Sequence, residues 1–91
     1  MNYKLCFTKS YNRVAARFLK LHPELEEQYR KILQLLELNP FHNSLRLHAI
    51  KGKIENLYSV SINIRYRLLI ILIIREKTII PVNIGSHEQV Y

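Results

Sequence analysis

The chain has no tryptophan, one methionine and one cysteine, two glycines and three prolines in 91 residues. The lone cysteine, Cys6, excludes an internal disulfide and fits a reducing, cytoplasmic setting. With so little glycine and proline there is no low-complexity tract, internal repeat or interdomain linker, so residues 1–91 read as a single domain. At this length a chain buries roughly 60% of its unfolded surface, enough for one core without staples. No apolar run approaches the ~20 residues a membrane-spanning helix takes. The N-terminus, Met1-Asn2-Tyr3-Lys4-Leu5-Cys6-Phe7-Thr8-Lys9, lacks the long apolar stretch of a signal peptide. No membrane association is expected. Acidic residues are also scarce, seven against fourteen Lys and Arg.

The resulting net charge of +7 suggests a polyanionic partner, most simply nucleic acid, or an acidic protein. Residues 1–22 carry +5, residues 23–38 carry −2 and residues 39–91 carry +4. The acidic segment is thus confined to one element. At 48% hydrophobic residues the chain is too apolar to be disordered.

The densest apolar stretch is Leu68-Leu69-Ile70-Ile71-Leu72-Ile73-Ile74, preceded by Arg65-Tyr66-Arg67. It is isoleucine-rich and short, so it predicts a central strand buried on both faces. Arg65 and Arg67, two residues apart, should share a face at its start and offer an anion site. Upstream, Tyr3–Thr8 alternates as a strand with Tyr3, Leu5 and Phe7 inward. Thr8 or Ser10 can cap a helix whose inner face is Tyr11, Val14, Ala15 and Phe18, with Arg13, Arg17 and Lys20 outside. His22-Pro23 interrupts it. A second helix follows, with Glu24, Glu26 and Glu27 at the positive end of its dipole, and ends at Asn39-Pro40. Leu25, Tyr29, Ile32, Leu33 and Leu36 form its apolar face. Residues 46–50 predict a short edge strand and Lys51-Gly52-Lys53 a basic turn. Tyr58, Val60, Ile62 and Ile64 alternate with Ser59, Ser61 and Asn63 in a further strand. Residues 78–84 predict the last strand, with a bulge or unpaired position at Pro81. The order predicts an α+β domain, a helical hairpin on one face of a mainly antiparallel sheet of four or five strands. The opposite face, with Ser59, Ser61, Asn63 and the arginines, should be open and polar.

Four stretches together carry a resemblance: Arg46-Leu47-His48-Ala49-Ile50-Lys51-Gly52-Lys53, Leu57-Tyr58-Ser59-Val60-Ser61-Ile62, Tyr66-Arg67, and Ile84-Gly85-Ser86-His87-Glu88-Gln89-Val90-Tyr91. In this order and at this length they resemble the RelE/ParE superfamily of toxins from bacterial type II toxin–antitoxin modules, closest to the RelE and YafQ-like messenger-RNA interferases. The resemblance covers nearly the whole chain. It implies ribosome-dependent cleavage of messenger RNA and neutralisation by a small antitoxin in a hetero-oligomer. It implies that Arg67 contacts substrate phosphate, that His87 is a catalytic histidine and that Tyr91 is the C-terminal aromatic of the site. RelE carries two lysines on the strand before the Tyr-Arg pair. Ser59 and Ser61 stand there, so a histidine-based chemistry is implied instead.

Cleaving RNA by acid–base chemistry needs a base for the 2′-OH, an acid for the leaving 5′-oxygen and cations for the charge on phosphorus. Histidine is the side chain suited to both proton transfers near neutral pH. The candidates are therefore His87 and His48 for the proton, Arg67 for the phosphate and Tyr91 for stacking or proton transfer. Lys51, Lys53, Arg65 and Arg46 are candidate contacts to messenger or ribosomal RNA, which give affinity rather than sequence choice. The bland alternatives are a surface histidine in a tail, an Arg67 salt bridge to Glu55, Glu76 or Glu88, and a solvated lysine turn. His22 and His42 read as structural. No cofactor and no metal site are expected, because no histidines have close ligand spacing and the second half has no carboxylate cluster. Two other readings stay open: a ParE-like toxin acting on DNA gyrase, and a degenerate basic binding module without enzymatic activity.

Overall fold

The structure, a computed structural model, describes residues 2–90. Strand β1 (Lys4–Leu5) leads into helix α1 (Lys9–Leu21) and helix α2 (Glu26–Leu38). Strands β2 (His48–Ala49), β3 (Leu57–Ser61), β4 (Tyr66–Ile73) and β5 (Thr78–Ser86) follow, and a short helix α3 (His87–Val90) comes last. The sheet order is β1-β5-β4-β3-β2, parallel between β1 and β5 and antiparallel elsewhere. The apolar run is therefore the central strand.

Local chemistry accounts for most boundaries. Thr8 caps α1, its Oγ1 accepting from Tyr11 N–H at 3.0 Å. Pro23 ends α1 and opens a 3-10 turn over Pro23–Leu25 before α2. The inner helix faces carry Tyr11, Ala15 and Phe18 on α1 and Tyr29, Ile32 and Leu36 on α2, all buried. They close over Val60, Leu68, Ile70, Leu72, Ile79 and Ile84 of the sheet. Each such fully buried aliphatic side chain contributes roughly 1.5–3 kcal/mol. Within this core the Tyr11 and Tyr29 hydroxyls bond each other at 2.8 Å. Around Pro81 the β4–β5 register shifts, so Leu69 faces Asn83, Ile70 faces Pro81 and Val82 is the extra residue.

Four expectations are corrected. The first strand stops at Leu5, because the chain must turn into the Thr8 cap, and Phe7 is left 45% exposed on Tyr11. Strand β3 stops at Ser61, because the Asn63 Oδ1 accepts from both Arg65 N–H (2.9 Å) and Tyr66 N–H (2.8 Å) and folds the chain back. Ile64 consequently sits at the turn tip, 96% exposed rather than inward. Residues 46–50 form only a two-residue edge strand, with Arg46 in left-handed backbone at φ 50°.

The fourth correction concerns the sheet face away from the helices. It is not simply open and polar. Cross-strand register aligns Leu57 with Ile71 and Ile80, and Ile73 with Thr78. Leu69 is buried on this face but Ile71 and Ile73 are only half-buried, so β4 is enclosed along its length on the helix side and only in part on the other. Ser59 is completely buried between its neighbours His48 and Leu69, and its hydroxyl has no hydrogen-bond partner among the described residues. No helix among the described residues is long and apolar enough to cross a membrane.

Candidate functional site

The Asn63 turn fixes the start of β4. Ser61 Oγ donates to the Asn63 carbonyl at 2.8 Å, and Ile62 N–H donates to the Tyr66 carbonyl at 2.9 Å. Arg65, Tyr66 and Arg67 therefore leave a rigid loop in defined directions. Strand alternation sends Tyr66 to the helix side and Arg67 to the other. There Arg67 lies in register with Ser61 on one side and Gly85 on the other. Its Nε is buried and unpartnered, and Arg67 makes no ion pair among the described residues. An arginine held this way keeps its donor fork unspent.

The C-terminal segment is organised by a capping box that the sequence reading passed over. Gln89 Oε1 accepts from Ser86 N–H at 2.8 Å, and Gln89 N–H donates to Ser86 Oγ at 3.3 Å. This is the Ser-x-x-Gln signature of a helix start, and it was legible. It makes His87 the first residue of α3 rather than a residue of a loose tail. The glycine before it is required by contact. A Cβ on Gly85 would lie 2.8 Å from Gln89 Oε1 and 3.1 Å from Gln89 Cβ. So α3 runs over Gly85, beside Arg67.

At the same end of the sheet lies an open cleft of ≈ 530 Å³, lined by His22, Arg65, Tyr66, His87 and Glu88 among others. Arg65 is exposed and belongs to this cleft, whereas Arg67 points to the sheet face, so the two arginines do not share a face as alternation alone suggested. The turn, not strand geometry, directs Arg65. His48 on the edge strand is exposed and pairs with Ser59, two residue pairs along the sheet from the row of Ser61 and Arg67. Arg46 precedes it outside the strand and lines a separate hollow with Phe41, His42, Asn43 and Leu47. His42 is bound locally, its Nδ1 2.9 Å from Ser44 Oγ.

Lys51 and Lys53 lie apart from this end of the sheet. They lie in the exposed connection before Leu57, whereas the Arg65 turn follows Ser61 at the other end of β3. Four residue steps at about 3.4 Å put these two basic groups ~14 Å or more apart. Tyr91 lies outside the described residues. The structure thus brings His87, Arg65 and Arg67 to one end of the sheet, with His87 and Arg65 lining a common cleft, and places His48 opposite mid-β3 and Arg46 in a separate hollow. His22 joins His87 and Arg65 in the cleft, although its place before Pro23 marked it as structural.

No protein-family model and no curated protein matches the sequence. Solved structures do match in fold. The E. coli DinJ–YafQ toxin–antitoxin complex superposes with a TM-score of 0.80 at 12% identity, over 100% of this chain and 99% of that one. A metal-bound toxin from Helicobacter pylori gives 0.72 at 19% identity, over 100% of both chains. The YoeB/ParE toxin from Agrobacterium tumefaciens gives 0.74 at 15% identity, over 92% of this chain and 98% of that one. The chain therefore has the fold shared by the YafQ and YoeB/ParE toxins.

Proposed function

We propose that this protein is the toxin of a type II toxin–antitoxin pair and that it acts as a ribosome-dependent endoribonuclease on messenger RNA. One observation carries the reading: His87, held on the capped first turn of α3, lines a cleft with Arg65 while α3 covers the strand residue beside Arg67, whose Nε is unspent. An imidazole and two guanidinium groups at one sheet end are what metal-independent RNA cleavage asks of a protein. A base takes the 2′-OH proton, the 2′-oxygen attacks phosphorus, the P–O5′ bond breaks and an acid returns a proton to the 5′-oxygen. The products are a 2′,3′-cyclic phosphate and a 5′-OH end. His87 and His48 are the proton carriers in this scheme, Arg67 is the phosphate clamp, and Tyr91 stacks or relays a proton.

The partner is a cognate antitoxin. Support comes from the DinJ–YafQ complex, in which a chain of this fold is held by one. The site of action is the cytoplasm, where ribosomes and messenger RNA are found.

The test compares wild type with His87→Ala in a translating extract, with primer extension on a reporter message. Codon-phased cuts with wild type and none with His87→Ala are expected. Cuts that persist in the variant would move the proton transfer to His48. Absence of cuts with either protein, translation being intact, would overturn the ribonuclease reading in favour of a gyrase-directed toxin.

A further inference from the structure

His22 closes α1, its N–H donating to the Phe18 carbonyl at 2.9 Å. Pro23 prevents the helix from continuing, so the side chain leaves the helix end sideways. Its ring is neither loose nor enclosed. It packs 4.7 Å from the Phe18 ring and 4.8 Å from the Tyr66 ring, and Phe18 meets Tyr66 edge-on at 5.2 Å. Its Nδ1 lies 3.6 Å from Glu24 Oε2, and 28% of the side chain stays exposed. The exposed part lines the cleft that His87 lines. A residue needed only to finish the core here would be served by leucine. What stands here is a flat ring, held by two others and presented to a cleft.

We propose that this end of the cleft is a nucleobase subsite. A single-stranded nucleotide next to the cleaved linkage stacks its base on the His22 ring, which Phe18 and Tyr66 buttress at interplanar angles of 40° and 52°, and sets its phosphate against Arg65. The proposal rests on the ribonuclease reading and extends it to a residue outside the proton-transfer set. Stacking on aromatic rings is tolerant of sequence, because every base has a π-face. The platform is preorganised, since the three rings already fix one another and no side chain has to be ordered on binding. Arg65 is anchored by its N–H bond to Asn63 Oδ1, yet its side chain is exposed. Two carboxylates border the site, Glu24 beside His22 and Glu88 in the cleft lining. They repel a phosphate and leave the Arg65 side for it. A base over the rings and a phosphate at Arg65 is therefore the polarity the charges select.

The experiment measures cutting of a message on purified, programmed ribosomes as a function of toxin concentration, for wild type, His22→Ala and His22→Phe. His22→Phe keeps a ring for stacking and for packing on Phe18 and Tyr66, and thermal melts of all three report folding. The half-saturating concentration should rise about tenfold in His22→Ala, the loss typical of one stacked base. The saturating rate should stay within about threefold, as for a contact made equally before and during reaction. His22→Phe should cut as wild type does. Wild-type behaviour of His22→Ala would overturn the subsite while leaving the ribonuclease intact. Equal impairment of a folded His22→Phe and His22→Ala would overturn stacking in favour of imidazole chemistry. A wild type that cuts nothing would remove the ribonuclease reading and the subsite with it.

Discussion

Ser59 is completely buried, and its hydroxyl has no hydrogen-bond partner among the described residues. A buried hydroxyl without a partner costs about 1–3 kcal/mol in lost hydration. Ser59→Ala should therefore stabilise the fold by about 1 kcal/mol and raise the melting temperature by roughly 4–8 °C. A lower melting temperature would mean that the hydroxyl is satisfied after all. The Tyr11–Tyr29 pair makes the opposite case, two buried hydroxyls that satisfy each other. Burial pushes the pKa of both hydroxyls above the usual tyrosine value; for Tyr11 the neighbouring Tyr29 adds to the rise, and for Tyr29 the bond from Tyr11 works against it. The unfolded chain then gives up its tyrosine protons at lower pH than the folded one. The pair's contribution is fully present below about pH 10, the usual tyrosine value, and is lost as pH rises above it. Urea midpoints taken from about pH 8 to 11 should fall steeply at the alkaline end for wild type. The fall should be shallower in the Tyr11→Phe/Tyr29→Phe double variant. Tyr11→Phe alone should cost about 1–3 kcal/mol at neutral pH, because it strands the Tyr29 hydroxyl.

Helix α3 is the element on which the candidate site turns. It has four residues, too few to hold itself, and is fixed by the Ser86–Gln89 box and by its seat on Gly85. None of its residues is buried, so losing its geometry should leave the core untouched. In Gly85→Ala the new Cβ displaces Gln89 and shifts His87. Cutting should fall by about 10- to 100-fold, the scale of a misplacement of around 1 Å. The urea midpoint should stay within experimental error, and a variant as active as wild type would show that His87 needs no such seat. This element also marks where the sequence could be read and where it could not. The helix faces, the Thr8 cap, the α2 stop and the break at Pro81 follow from local chemistry, and each was legible. Ser-x-x-Gln was equally local and could have been read. Alternation assigns a strand residue to a face but does not say where the strand ends. In β3 that is decided by two bonds to Asn63 Oδ1, which expose Ile64 and send Arg65 and Arg67 different ways. The meeting of His22 with His87 joins residues 65 positions apart, and no local pattern encodes it.

Across the whole molecule, the fold splits basic groups that are close in sequence. Lys51 and Lys53 sit beyond one end of β3, and Arg65 and Arg67 beyond or near the other. At a separation of ~14 Å, longer than the Debye length of ~8 Å at physiological salt, the two ends act on a polyanion almost independently. They should then carry different parts of the kinetics. On the proposed ribonuclease reading Arg67, close to the candidate proton carriers, is the clamp on the phosphate that reacts, so Arg67→Ala should lower the saturating rate of cutting by 100-fold or more, as removal of a transition-state donor does. On the same reading Lys51→Ala/Lys53→Ala would remove contacts made equally before and during reaction. It should raise the half-saturating ribosome concentration and leave the saturating rate unchanged. Salt gives an independent check. Each phosphate contact to single-stranded RNA contributes about 0.7 to the slope of log affinity against log salt, so the double lysine variant should flatten that slope by about 1.4. An unchanged slope would mean that the lysine turn is only a solvated loop, and a fall in saturating rate would mean that substrate reaches across the sheet to it.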